Sequence, residues 1–243
     1  MAFGEDSFLS HLVELRNRLI KAVLAIVVVF LCMMPFASKI YDLLALPMLQ
    51  NLPEGTKMIA TGVVAPFFVP IKVTLLAAFV VALPVVLYQA WAFVAPGLYA
   101  HERRFALPMI VGSTVLFLSG MAFCYFFVFG MVFKFIASFA PTSITVAPDI
   151  EQYLSFAISM FLAFGVTFEV PIVVLILVKT GLVTVAQLRE ARRYVIVGAF
   201  VVAAVVTPPD VTSQLLLAIP MCLLYEVGVL LAAMMKRGDP SPT

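Results

Sequence analysis

Six long apolar runs constrain what this chain can fold into more than any other feature. They fall at about 19–37, 67–87, 106–128, 153–178, 194–206 and 215–235 of the 243 residues. A helix rises about 1.5 Å per residue, so roughly 20 apolar residues cross a bilayer core. Hydrophobic residues make up 64% of the chain and charged residues 12%, against about 45–50% and 25% in soluble domains. One soluble core cannot hide that excess, and lipid can. The expected fold is therefore all-α, a single membrane domain over residues 1–243 with six transmembrane helices. The first run reads as a retained helix and not a cleaved signal peptide, because further spans follow it.

Breakers and charges divide the runs. Pro35 and Ser38 end the first, Pro84 lies near the end of the second, and the third continues as an aromatic stretch to about residue 140. Between the first two spans, Ile40, Leu43, Leu44 and Met48 recur at helical spacing, which suggests a short interfacial helix. Asp149 before the fourth run suits an N-cap, with Glu151 in the first turn. Lysine and arginine are unequally distributed. Arg16, Arg18, Lys21, Arg103, Arg104, Lys179, Arg189, Arg192, Arg193, Lys236 and Arg237 fall on one side of a six-span arrangement, and only Lys39, Lys57, Lys72 and Lys134 on the other. Positive charge marks the cytoplasmic side, so both termini are expected there.

Several chemistries find no support. The net charge of +2 comes with no basic run of the kind nucleic-acid binders use. Cys32, Cys124 and Cys222 lie far apart in apolar runs and read as small buried hydrophobes, with no metal or cofactor expected. No phosphate-cradling, zincin or nucleophile-elbow motif is present, so the sequence does not point to an enzyme.

Four polar constellations remain. In His11–Arg18, Leu12, Leu15 and Leu19 share a helix face and Glu14 and Arg18 form an i,i+4 pair; on physical grounds alone this is an interfacial anchor more often than a receptor. The segment 88–104 reads as a loop between the second and third spans. Tyr88, Trp91 and Tyr99 would suit the membrane interface, Pro96-Gly97 forms a break, and His101-Glu102-Arg103-Arg104 is a compact charged cluster. Glu169 lies well inside the fourth run, where an ionisable group costs about 2.5–3.5 kcal/mol on insertion scales. It needs a partner, a wet cavity or a proton, and Pro171 removes a helical bond beside it. Finally, Thr207-Pro208-Pro209-Asp210 with Ser213-Gln214 makes a polar corner after the fifth run, whose 13 or so apolar residues reach only about 20 Å. Glu226 interrupts the sixth run. Such a short hairpin either thins the bilayer or sits behind a partner, or it tilts less and exposes its ends.

Taken together these segments resemble the TatC family. The resemblance rests on His11-Leu12-x-Glu14-Leu15-Arg16-x-Arg18, on Tyr88-Gln89-x-Trp91-Ala92-Phe93-x-Ala95-Pro96-Gly97-Leu98-Tyr99 with Glu102-Arg103-Arg104, on Phe164-Gly165-x-x-Phe168-Glu169-x-Pro171, and on Thr207-Pro208-Pro209-Asp210-x-x-Ser213-Gln214. It implies a glove-shaped bundle with a concave face in the bacterial inner membrane, working as the signal-peptide receptor of the twin-arginine translocase. It implies partners of the TatA and TatB type, folded cargo with twin-arginine signal peptides, a homo-oligomer within a larger complex, and transport driven by the proton-motive force. Glu14 and Glu102 would receive the paired arginines, on a surface that includes Arg16, Phe93 and Arg103. Glu169, with Gln89, would be polar contacts inside the membrane, and Thr207, Asp210 and Gln214 would lie where partner helices dock. The alternative is a proton-coupled secondary transporter using Glu169 as relay. That reading predicts repeated halves, which the sequence lacks.

Overall fold

The structure is a computed structural model, and it describes residues 3–50, 57–94, 103–139, 147–207 and 210–238. The described chain is all-α. Helix α1 spans Phe3–Met33 and runs through a 3-10 turn, Met34–Phe36, into α2, Ala37–Leu49. Then come α3, Ala65–Val94; α4, Arg103–Phe123; a π-helical turn, Cys124–Val128; and α5, Phe129–Phe139. Helices α6, Ile150–Phe168, and α7, Val170–Lys179, are two halves of one span; α8, Val185–Val206, and α9, Val211–Gly238, form a hairpin.

Among the described residues, five helical stretches are long and apolar enough to cross a membrane: His11–Leu49, Ala65–Val94, Leu107–Ile136, Ile150–Lys179 and Val211–Met235. Their outward faces are apolar, with Phe126, Leu107 and Leu223 all exposed, as a lipid-facing surface requires. Cys32 is also exposed, contrary to the expectation of burial, whereas Cys124 is buried. Within the bundle α1 packs on α3, α4 on α6, and α9 against both α7 and α8. An aromatic cluster of Phe129, Phe133, Phe156 and Phe161 joins α5 to α6, and Phe164 of α6 meets Phe123 of α4.

Small residues set the closest approach. A Cβ on Gly120 would lie 2.5 Å from the Phe164 carbonyl oxygen, and one on Gly165 would enter the Phe117 ring. Only glycine lets α4 and α6 come this near, which is the usual route to tight packing between helices in lipid.

Prolines inside helices leave carbonyls without their helical donors, and hydrocarbon supplies no water to replace them. Pro47 in α2 cannot donate to the carbonyl of Leu43. Tyr125, on the π-helical turn, donates its hydroxyl to that oxygen at 2.6 Å. Tyr153 does the same for the neighbouring Leu44 carbonyl, also at 2.6 Å. The two tyrosines bind α2, the expected interfacial helix, to the core.

At the end of the bundle where α3 and α6 begin, Asp149 caps α6 as its sequence position suggests, accepting from the N–H groups of Glu151 and Gln152 at 2.9 and 3.1 Å. Its other oxygen accepts from the Thr61 hydroxyl at 2.6 Å and the Thr61 N–H at 3.0 Å. Ile59 bridges the same strand-like contact through Pro148 and Ile150. Lys72 stands 3.7 Å from Glu151 on the α6 first turn. One carboxylate thus joins the segments before α3 and α6.

Some expected boundaries move. The second span does not stop at residue 87; α3 continues through Tyr88–Val94, so half of the expected loop is helix. The fifth span is not a short helix. Thr184 and Gln187 form a reciprocal capping box that starts α8 ten residues before the apolar run. Glu226 does not interrupt α9, because Arg192 of α8 donates to it at 2.7 Å across the hairpin, and Tyr225 donates to the Leu188 carbonyl at 2.7 Å. The sequence reading missed these because helix formers with charge on one face carry no hydropathy signal.

Two outcomes are expected. Tyr125→Phe leaves the Leu43 carbonyl without a donor and should cost about 1–3 kcal/mol, seen as a lower unfolding temperature in detergent; an unchanged temperature would contradict the repair. The Asp149 carboxyl ordinarily titrates near 3.8 and is held at about 2, first by the Thr61 hydroxyl and then by backbone N–H groups. A depressed native pKa stabilises fully above the unfolded value and is lost as pH falls through the folded one. The stability gap between wild type and Asp149→Asn should therefore be present at pH 7 and close as pH falls from about 4 towards 2. A gap independent of pH would refute the assignment.

Candidate functional site

The candidate residues fall in three places. At one end of the bundle lie the N-terminal part of α1 and the last turn of α3. Glu14 accepts from both Nε and Nη2 of Arg18 on a single carboxylate oxygen, the Nε bond measuring 2.9 Å. Both side chains are partly exposed. The expected i,i+4 pair is therefore formed, and it displays what Glu14 can do, which is hold a guanidinium. One helical turn earlier, His11 stacks on Phe93 with ring centroids 4.3 Å apart and planes 18° from parallel. This stack places the Glu14 turn of α1 beside the end of α3. Arg16 is exposed, with a weak 3.4 Å contact to Asn17. Arg103 is the first residue of α4. Glu102, with Pro96-Gly97, Tyr99 and His101, lies outside the described residues.

The second place is inside the bundle. Glu169 sits at the turn between α6 and α7, where the helix ends and Pro171 restarts it. The side chain is 7% exposed. Its Oε2 accepts a 2.6 Å bond from the Ser113 hydroxyl on α4, and the same Ser113 oxygen accepts a 2.8 Å bond from the Trp91 indole N–H on α3. Among the described residues Oε1 is buried without a partner. Trp91, expected to suit the membrane interface, is turned into the bundle. It is buried, packed with Ile176 and flanked by Leu87, Met109 and Ile172. Sequence reasoning missed both Trp91 and Ser113 as companions of Glu169. A signal was present, since a tryptophan N–H needs an acceptor when buried. Gln89 is half-buried two residues earlier on α3, and among the described residues no hydrogen bond joins it to Glu169. Nor does Glu169 line the apolar cavity of about 460 Å³ between α1, α2, α3 and α4, which is walled by Met33, Leu44, Val80, Met121 and Phe161 among others.

The third place is the tip of the α8–α9 hairpin. Thr207 is buried and donates its hydroxyl to Ala203 within its own helix at 2.8 Å. Asp210 accepts from the Ser213 N–H at 2.7 Å and starts α9. Among the described residues its Oδ2 and the Ser213 hydroxyl are buried and unpartnered. Gln214 is half-buried and reaches the Phe200 carbonyl at 3.3 Å. Pro208 and Pro209 lie outside the described residues. Among the described residues no group of three His, Cys, Asp or Glu side chains is placed to hold a metal ion.

These features define a multi-spanning α-helical membrane protein with a guanidinium-holding carboxylate at one end and a buried carboxyl at a helix break. A family model described as Sec-independent protein translocase protein (TatC) matches residues 10–220. The chain is 51% identical over 221 residues to the Sec-independent protein translocase protein TatC of Escherichia coli (strain K12), covering 91% of this chain and 86% of that protein. It is 50% identical over 231 residues to the Haemophilus influenzae protein of that name, covering 95% and 90%. A crystal structure of a twin-arginine translocase receptor, TatC, superposes with a TM-score of 0.81 at 40% identity, covering 93% of this chain and 100% of the other. This chain belongs to the TatC family.

The burial of Trp91 is open to a direct check. It is the single tryptophan of the chain, so its fluorescence should resist quenching by aqueous iodide in detergent or lipid. Quenching as efficient as that of free tryptophan would show that the indole lies at the surface.

Proposed function

We infer that this chain is the receptor subunit of a twin-arginine translocase in a bacterial inner membrane. It binds the twin-arginine signal peptides of folded proteins at its cytoplasmic face and works with single-span partners of the TatA and TatB type in transport driven by the proton-motive force. The reading takes α8 as the fifth of six spans, its charged first turns at the interface and 194–206 in the lipid. It also takes both termini as cytoplasmic, on the side that carries most of the lysines and arginines. The whole chain is then one membrane domain, working as a homo-oligomer within the larger complex.

The observation that carries the reading is the Glu14 carboxylate, which already binds a guanidinium beside the His11–Phe93 stack. A ligand with two adjacent arginines replaces Arg18 at Glu14 and takes Glu102 as its second carboxylate, with Arg16, Phe93 and Arg103 on the surrounding surface. Fork-shaped guanidinium recognition favours arginine over lysine at both positions. Glu14→Ala and Glu102→Ala should each weaken binding of a twin-arginine peptide to the purified protein by about 1.5–3 kcal/mol. Unchanged affinity in both variants would overturn the assignment.

The hairpin tip is the partner-docking surface in this reading. Asp210 and Ser213 carry buried polar atoms without partners, and Gln214 makes only a long bond to Phe200, so these groups gain from an incoming polar helix more than Thr207 does. Glu169, with Gln89 nearby on α3, is the polar contact within the membrane. Glu169→Gln should keep much of the transport activity, because the amide oxygen still accepts from Ser113, whereas Glu169→Ala should impair transport. A defect in Gln as severe as in Ala would contradict that role.

A further inference from the structure

The last turn of α3 is held on two sides. Phe93 meets His11 of α1 at the end proposed to receive the signal peptide. Trp91, two residues earlier and so on the opposite face of the helix, donates to Ser113. The direction of this hydrogen-bond chain is fixed by chemistry. An indole N–H can only donate, so Ser113 must accept there, and its single proton goes to Glu169 Oε2. Trp91 is 9% exposed, Ser113 0% and Glu169 7%. The chain therefore runs in a dry place, where such bonds are strong and an unmet polar atom is costly. Glu169 Oε1 is that unmet atom. The carboxyl is thus held by one oxygen in a position that leaves the other unsatisfied. It lies at the turn where the span is already broken, with Glu169 between α6 and α7.

We propose that Trp91 and Ser113 are positioning residues forming a latch that holds Glu169 turned inward, and that a ligand engaging the His11–Phe93 end of α3 opens it. Movement of the α3 end by the ligand lengthens the Trp91–Ser113 bond. Ser113 then loses the partner that fixes its rotor, and Glu169 gains by turning towards a group that can meet both oxygens. One helix turn of α3 connects the two places, so no longer pathway is required. The coupling half of the proposal rests on the signal-peptide reading; the latch half does not.

The test uses two readouts that a packing role alone would not move. As the single tryptophan, Trp91 gives one indole N–H resonance in nitrogen-15-labelled protein. That resonance should move in the direction of a weaker hydrogen bond in Ser113→Ala, and also in Glu169→Ala, which does not touch the indole. Reaction of Glu169 with the lipid-soluble dicyclohexylcarbodiimide, followed by mass spectrometry of the modified peptide, reads how far the carboxyl is freed. Its rate should rise about 5- to 10-fold in both Ser113→Ala and Trp91→Phe, so poor folding of either variant leaves the other to decide. A twin-arginine peptide without tryptophan should shift the wild-type resonance and raise the rate in the same sense. An unmoved resonance in Glu169→Ala, or equal rates in the folded variants, would overturn the latch. A peptide that binds, by anisotropy, without altering either readout would overturn the coupling. A peptide that does not bind would count against the receptor reading and leave the latch to stand on the variants.

Discussion

Hydrocarbon offers no hydrogen bonds, and the architecture of this chain follows from that constraint. Every backbone group that a helix cannot satisfy must find a partner within the protein. Prolines create such groups, and the fold answers the one at Pro47 with a side chain from another helix. Tyr125 takes the Leu43 carbonyl freed by Pro47. The same constraint governs charge. Glu226 is tolerated on α9 because Arg192 faces it, and Glu169 because Ser113 donates to it. The repairs are long-range in sequence, with Tyr125 and Leu43 82 residues apart, so they also fix which helices stand together.

Where a repair is incomplete, the structure leaves a polar atom ready for another molecule. Among the described residues the buried unpartnered side-chain atoms are Glu169 Oε1, Asp210 Oδ2 and Ser213 Oγ. They occur at the break between α6 and α7 and at the tip of the α8–α9 hairpin. Elsewhere the packing is close, as at the Gly120 and Gly165 approach of α4 to α6. A protein that must accept segments from outside into a lipid environment needs both kinds of region. Tightly packed helices hold the frame, and the unmet groups mark where a partner's polar group lowers the free energy.

Much of the fold is legible in the sequence, because hydropathy and lipid thickness speak directly to each other. The five strongest spans, the short helix α2 and the Asp149 cap all follow from runs, spacing and breakers. What is not legible is contact between distant residues. Trp91 reads as an interfacial aromatic because tryptophan prefers that level in general. Only the approach of α3 to α4 shows that its N–H has an acceptor in Ser113. Helix α8 reads as short because Arg189, Glu190, Arg192 and Arg193 end the apolar run, yet charged residues of good helix propensity extend a helix as readily as apolar ones. Of the candidate site, Glu14 and Glu169 stand out by charge and depth. The two residues that position Glu169 carry no charge, so a search for costly groups passes over them.

The central claim is that the end of the bundle bearing Glu14 and Phe93 is a receptor for paired arginines. It is tested most directly by photocross-linking from a signal peptide carrying a reactive group beside its arginine pair to the protein in membranes. The account predicts adducts confined to residues near 11–18 and 93–104, and their loss when both arginines are replaced by lysines. Adducts of equal yield with the lysine peptide, or adducts mapping to the segments around Thr61 and Asp149 at the opposite end, would contradict it.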